Sequence, residues 1–174
     1  AAAAFARACH LIEASQPLAP AAHEPLALVL GNLAHACYRA GALDDALVHG
    51  QRACTVRVAI AGEDAMPVAR ARMDLAVMLA AAQRGDEALA LVRRALAALE
   101  HRVGAEDVRL VVVLENAARI ALALGATADA EPLLLRLHAL LASHGLSTSR
   151  AEDLLTRVAR LRASAEPMAP ETPP

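Results

Sequence analysis

Histidine and acidic side chains are the residues of this 174-residue chain that could perform acid–base or metal chemistry. The seven histidines are scattered, and His138 and His144 stand six residues apart, so a helix would not place them on one face. Acidic residues cluster at Glu63–Asp64 and Glu106–Asp107, where we interpret them as residues that stabilise helix starts. The pattern predicts no metal site and no acid–base pair, and we expect a protein that is not an enzyme.

Motifs that bind phosphate or supply a nucleophile are also missing from the sequence. There is no Gly-rich phosphate loop, no G-x-S-x-G and no H-E-x-x-H. All 17 basic residues are arginine, which excludes a lysine-dependent phosphate loop and a pyridoxal Schiff base. We therefore expect the chain to work without a cofactor.

Net charge and cysteine usage limit which partners and which cellular compartment we expect. The formal net charge is −2, which gives no overall attraction to nucleic acid or to an anionic membrane. Cys9, Cys37 and Cys54 form no C-x-x-C motif and suit a reducing compartment. No apolar run is long enough to span a bilayer. We expect a cytoplasmic protein that neither binds nucleic acid nor inserts into a membrane.

Helices are the elements that must position the side chains of this sequence. Alanine and leucine, both strong helix formers, are the most frequent residues, and few stretches alternate as strands do. We therefore predict an all-α protein.

A sequence pattern recurs with a period of 42 residues. It reads NLAHACYRAGALDDA from Asn32, DLAVMLAAAQRGDEA from Asp74 and NAARIALALGATADA from Asn116. Such a period is typical of proteins that stack pairs of helices. The aligned small residues are Ala34, Ala76 and Ala118 in the first part of each unit, and Ala46, Ala88 and Ala130 in the second part.

Each unit predicts two helices, which in the first unit run from about Pro25 to Arg39 and from about Leu43 to Ile60. Ala46 and Ala53 stand seven residues apart and share one helical face, and Ala34 can meet that face from the partner helix. We predict that these alanines allow a close approach of the two helices, because leucine there would overpack by about 1–3 kcal/mol.

The repeat resembles the tetratricopeptide repeat (TPR), in the longer form found in kinesin light chains. The residues that carry the resemblance are Asn32-Leu33-Ala34, Gly41, Asp45-Ala46, Ala53, Gly62 and Pro67, with partial matches in the other two units. The resemblance implies a right-handed α-solenoid of antiparallel helix pairs. HEAT and armadillo repeats have overlapping periods and remain the alternative fold.

The predicted organisation has four segments. Residues 1–23 form the second helix of a partial N-terminal repeat and a connector, and residues 24–146 form three helix pairs. Residues 147–164 form a C-terminal capping helix, for which Ser149 and Glu152 predict a capping box. Residues 165–174 form a flexible, proline-rich tail.

Functional side chains are predicted on the first helix of each unit, which lines the concave groove of such a solenoid. Helical spacing directs several basic side chains toward this groove, where they are candidate contacts for carboxylates or carbonyls. These candidates are His35, Arg39, Arg70 and Arg119.

Asn32, Asp74 and Asn116 form a register-matched ladder beside the basic residues. The resemblance to kinesin light chains implies that Asn32 and Asn116 clamp the backbone of a bound peptide. Asp74 departs from that pattern, because a carboxylate only accepts hydrogen bonds. The alternative is that these side chains cap or bridge neighbouring helices.

These residues predict a non-enzymatic protein–protein interaction module that binds a peptide or a partner protein through its groove. The alternative is a structural or regulatory segment of a larger bacterial signalling ATPase or kinase, because the first unit is partial and no methionine starts the chain. Self-association through Phe5 and Leu11 of the N-terminal helix is a third expectation.

Overall fold

A computed structural model describes Arg7 and residues 20–165 of the chain. Residues 20–165 form helices joined by short turns, with no strand among them. The helices are α1 (Pro20–Arg39), α2 (Leu43–Ala61), α3 (Met66–Ala81), α4 (Gly85–Val103), α5 (Leu110–Ala123), α6 (Thr127–Ser143) and α7 (Ser149–Ala165).

The helices pack as three pairs in chain order, followed by α7. Helix α1 packs on α2, α3 on α4 and α5 on α6, while α2–α3, α4–α5 and α6–α7 contacts join one pair to the next. The first helices of the second and third pairs, α3 and α5, also touch each other. This arrangement confirms the predicted all-α stack of helix pairs.

The small residues of the repeat are buried between the packed helices. Ala34, Ala46 and Ala53 are at most 3% exposed, as the spacing predicts. Gly50 of α2 extends this row, since a Cβ atom there would lie 3.2 Å from Leu75 Cδ1 and 3.4 Å from Met78 Sδ of α3. The absence of a side chain at position 50 thus allows α3 to pack tightly against α2.

The turn inside each unit requires a left-handed backbone, whichever residue occupies it. Gly41 and Gly125 have φ angles of 78° and 71°, and Gln83 at the same position of the second unit has φ 61°. Glycine adopts this conformation freely, whereas another residue pays roughly 1–2 kcal/mol. The repeat geometry therefore imposes the turn even where the sequence does not favour it.

Two local predictions were wrong. Helix α1 begins at Pro20 rather than at Pro25, because the fixed φ of a proline suits the first helical position that Pro20 occupies; Pro25 then lies inside the helix. The predicted capping box is also wrong, because Ser149 is already helical and its hydroxyl contacts Ser147 at 3.0 Å. The carboxylate of Glu152 accepts a hydrogen bond from the hydroxyl of Thr148 instead, at 2.6 Å.

The acidic turns between units have two different roles. Asp107 accepts a hydrogen bond from the backbone N–H of Arg109 at 2.8 Å, and the Arg109 guanidinium lowers the pKa of Asp107 to about 2. Glu63 does not stabilise a helix start as predicted. Its carboxylate lies against the buried guanidinium of Arg72 and accepts a hydrogen bond from Arg94 at 3.0 Å, so it ties the turn to α3 and α4.

The predictions for the chain ends lie almost entirely outside the described residues. They comprise the partial repeat in residues 1–23, with Phe5 and Leu11, and the tail in residues 165–174. Helix α7 covers the last pair with Ala151 and Val158, which are at most 2% exposed.

Candidate functional site

The first helices of the pairs form a face that carries two neighbouring cavities. The first cavity has a volume of about 500 Å³ and lies between α1 and α3, with α2 beneath it. Its polar lining comprises Asn32, His35, Arg57, Arg70 and Asp74.

The second cavity also has a volume of about 500 Å³ and lies between α3 and α5. Asp74 lines it as well, so this carboxylate belongs to the wall that the two cavities share. We call the two cavities together the groove. The other polar and aromatic lining residues of the second cavity are Tyr38, Asn116 and Arg119.

Six of the seven residues predicted from the sequence line this groove. Asn32, His35, Arg70 and Asp74 lie at the first cavity, and Asp74, Asn116 and Arg119 lie at the second. Arg39 is exposed at the C-terminal end of α1 but lines neither cavity.

His35 and Asp74 face each other across the first cavity. His35 Nδ1 lies 3.0 Å from the carbonyl oxygen of Gly31, so we assign the ring proton to Nδ1. His35 Nε2 then points toward Asp74 Oδ1 at 3.8 Å, a distance that forms an ion pair when the imidazole is protonated. This pair bridges α1 and α3 across the groove.

The position of Asp74 between the cavities affects its ionisation. Partial burial raises the pKa of Asp74 above its ordinary value, while the positive charges of His35, Arg70 and Arg57 oppose that rise. The side chain is nevertheless 54% exposed, so a ligand can reach it. An ionised Asp74 can accept hydrogen bonds in either cavity.

The arginines predicted for the groove differ in their pairing from Arg94 and Arg136 of the second helices. Arg94 and Arg136 make ion pairs with Glu63 and Glu100. In the part of the chain that the structure describes, no acidic side chain lies within ion-pairing distance of Arg39, Arg70 or Arg119. Their guanidinium groups are therefore available to a ligand.

The side-chain amides of Asn32 and Asn116 are similarly available. Neither amide makes a hydrogen bond to the residues that the structure describes, and Asn32 is exposed while Asn116 is half-buried. Asp74, in contrast, bridges neighbouring helices through His35. Of the ladder, only Asp74 has a structural contact of the kind that the alternative interpretation requires.

Apolar side chains complete the face of the first helices. Leu28 lines the first cavity and Val77 the second, and they are 55% and 41% exposed. Val112 of α5 stands in register with Leu28 and is 60% exposed. The face therefore presents apolar and cationic groups side by side.

Arg57 and Tyr38 are groove residues that the sequence analysis missed. Arg57 lies on α2, a second helix, and only first helices were predicted to contribute. The repeat alignment carries a signal for it, because Leu99 and Leu141 occupy the same position in the other units. An arginine at a position that is leucine in the other units is the signal that marks Arg57.

The described residues contain neither a cluster of metal ligands nor a membrane-spanning helix. No three His, Cys, Asp or Glu side chains there lie close enough together to hold a metal ion. No helix within that part of the chain is both long and apolar enough to cross a membrane.

Solved structures resemble this chain throughout most of its length. BtubC (BKLC) from P. vanneervenii superposes with a TM-score of 0.52 at 18% identity, over 98% of this chain and 76% of BtubC. TPR-like repeats of a kinesin light chain-type protein from Podosopora anserina superpose with a TM-score of 0.57 at 18% identity, over 81% of this chain and 77% of that one. The fold is that of TPR-type repeats.

This TPR-type fold decides between the two predicted repeat classes. It excludes the HEAT and armadillo alternative and confirms the predicted resemblance to TPR-type repeats. The sequence matches no protein-family model, and no curated protein matches it.

Proposed function

We propose that this TPR-type protein is a non-enzymatic interaction module of the cytoplasm that binds an extended peptide segment of a partner protein along its groove. The observation that carries the proposal is the pair of adjoining cavities, each of about 500 Å³, whose shared wall is Asp74. Together they offer an elongated site between three first helices, which suits an extended chain better than a compact small molecule.

The polar ladder supplies the groups that a peptide backbone needs. Asn32 and Asn116 can each donate and accept hydrogen bonds, and Asp74 can accept them from backbone N–H groups. Because the two amides are not engaged by the described residues, binding would not break existing hydrogen bonds.

The remaining groove side chains suit the side chains of such a peptide. Arg70 and Arg119 can contact carboxylates or carbonyl oxygens, and Leu28 and Val77 offer exposed apolar surface beside them. Partner residues with acidic and apolar character therefore match the face.

The test is affinity capture from the native lysate with wild-type protein and with the variant Arg70→Ala/Asn116→Ala/Arg119→Ala. We expect a partner that the wild type captures and the variant loses, because the variant removes contacts from both cavities. Helicity measured by circular dichroism must match between the two proteins.

The control is Arg157→Ala/Arg160→Ala, which removes two exposed positive charges from α7. It should capture the same partner as the wild type. Capture of that partner by all three proteins at equal yield would contradict binding in the groove.

A further inference from the structure

Arg57 occupies a position that the other units fill with a core residue. Leu99 and Leu141, one and two periods further along, are 1% and 8% exposed. The side chain of Arg57 is also largely covered, at 19% exposed, but it lines the first cavity. The first unit thus places a guanidinium where a core leucine would stand.

The floor of the first cavity makes this guanidinium accessible. Gly50, Ala53 and Arg57 share one face of α2, and all three line the cavity. The equivalent of Gly50 in the second unit is Val92, which is 2% exposed. No residue of α4 lines the second cavity. Small residues therefore deepen the first cavity as far as α2, whereas the second cavity stops at the first helices.

The donors of Arg57 have little to bind inside the protein. Its nearest acidic atom is Glu24 Oε1, 3.9 Å from Arg57 Nη1, which is too far for a hydrogen bond. Glu24 is itself 65% exposed. Within residues 20–165, Arg57 makes no hydrogen bond, although a guanidinium has five N–H donors. A largely covered cation with unfilled donors favours an anionic ligand.

We propose that the first cavity is a carboxylate subsite that takes an aspartate or glutamate side chain of the bound peptide, with Arg57 at its base and Arg70 at its rim. This inference rests on the proposed peptide-binding function. It adds the chemical class of one ligand residue and names the groups that select it.

The depth of Arg57 favours a side chain over a peptide C-terminus. The ladder residues Asn32 and Asp74 are exposed on the first helices, whereas Arg57 lies on α2 beneath them, so a peptide backbone held by the ladder would run above Arg57. A terminal carboxylate at backbone level would meet the negative charge of Asp74. A side chain that reaches down from a continuous backbone avoids this repulsion and leaves the chain free to enter the second cavity.

The experiment uses bead-bound libraries of random nonapeptides, one with capped termini and one with free C-termini. Fluorescently labelled wild-type protein is compared with Arg57→Leu, which carries the residue that the other units have at this position. We expect the wild type to select Asp or Glu at one position of the capped library, and Arg57→Leu to lose that selection. Arg160→Leu on α7 is the matched control and should select as the wild type does.

The best capped peptide is then measured by fluorescence polarisation, together with its Glu→Gln or Asp→Asn analogue. Loss of a charged hydrogen bond should weaken binding by roughly ten- to a hundred-fold, whether the change is Arg57→Leu or the amide analogue. The two changes together should weaken binding no further, because they remove the same contact. Glu24→Gln should raise the affinity by less than about fivefold, since an exposed competitor is removed.

Three results would overturn the subsite. The first is that Arg57→Leu retains the acidic selection at unchanged helicity. The second is that acidic selection occurs only with free C-termini. If the wild type selects no peptide from either library, both the subsite and the proposed peptide binding fail. If Arg57→Leu does not fold, Arg57→Gln replaces it, since glutamine removes the charge and keeps a polar side chain; retained selection by that variant would likewise overturn the subsite.

Discussion

The two cavities of the groove have similar volumes and are lined by neighbouring repeat units, yet they differ in depth and charge. The first reaches α2 through Gly50 and ends at Arg57, whereas the corresponding Val92 and Leu99 of α4 are buried in the core. The same arrangement of helices thus carries a deep cationic cavity where the second helix has Gly50 and Arg57, and a shallow cavity where it has Val92 and Leu99. Repeat proteins can vary their binding chemistry in this way without changing the backbone.

The largest effect is expected when the second unit is given the glycine of the first. Val92→Gly removes a buried side chain and adds a glycine to the interior of α4, so it should lower the free energy of unfolding by roughly 2–4 kcal/mol. Urea denaturation followed by circular dichroism measures this change. A loss below about 0.5 kcal/mol would contradict this comparison, because position 92 would then accept glycine as readily as position 50 does.

The reverse exchange should be the next largest. Gly50→Val introduces atoms at a position where a Cβ already lies 3.2 Å from Leu75 Cδ1, so overpacking should cost about 1–3 kcal/mol and partly fill the first cavity. The same denaturation experiment checks it. Gly31→Ala is the control, because a Cβ there meets nothing within 4 Å and alanine should stabilise the helix by about 0.5–1 kcal/mol.

A smaller effect is expected at the turn that ends α3, the helix between the two cavities. Gln83→Gly should raise the free energy of unfolding by about 0.5–1 kcal/mol, because it relieves a left-handed backbone at φ 61°. The opposite change, Gly41→Gln, should lower it. Thermal unfolding of both variants measures the pair, and equal melting temperatures would contradict the idea that the repeat imposes this turn.

The smallest effect on stability is expected at Asp74, which forms the wall shared by the two cavities. Because partial burial raises the pKa of Asp74 in the folded state, its ionised form opposes folding at neutral pH, and this opposition disappears as Asp74 becomes protonated. Asp74→Asn should therefore melt at a slightly higher temperature than the wild type at pH 7, and the difference should shrink toward pH 3. A variant that melts lower at pH 7 would show that the pair with His35 outweighs the burial.

The sequence predicted those features that its period fixes. Equal spacing in a helix determines which side chains share a face, and it therefore identified the buried alanines and six of the groove residues. It could not predict that Glu63 pairs with Arg72 and Arg94, because that contact joins a turn to two helices. Arg57 was missed for a related reason, since its access to the cavity depends on how α3 packs against Gly50.

The segment boundaries, the peptide-binding role of the ladder and self-association through the N-terminal helix remain predictions. The alternative role as a regulatory segment of a larger signalling protein is compatible with the same groove. Identification of the captured partner would separate these possibilities.

The shared carboxylate of Asp74 has a consequence for how the two cavities respond to ligands. A ligand that orients this group toward one cavity would change what it offers to the other, so proposed ligands of the two cavities would be thermodynamically linked. Linkage is reciprocal: each occupant must alter the affinity of the other by the same factor. A partner that fills both cavities would then be recognised as one continuous motif. Its affinity would differ from the value expected if its two halves bound independently.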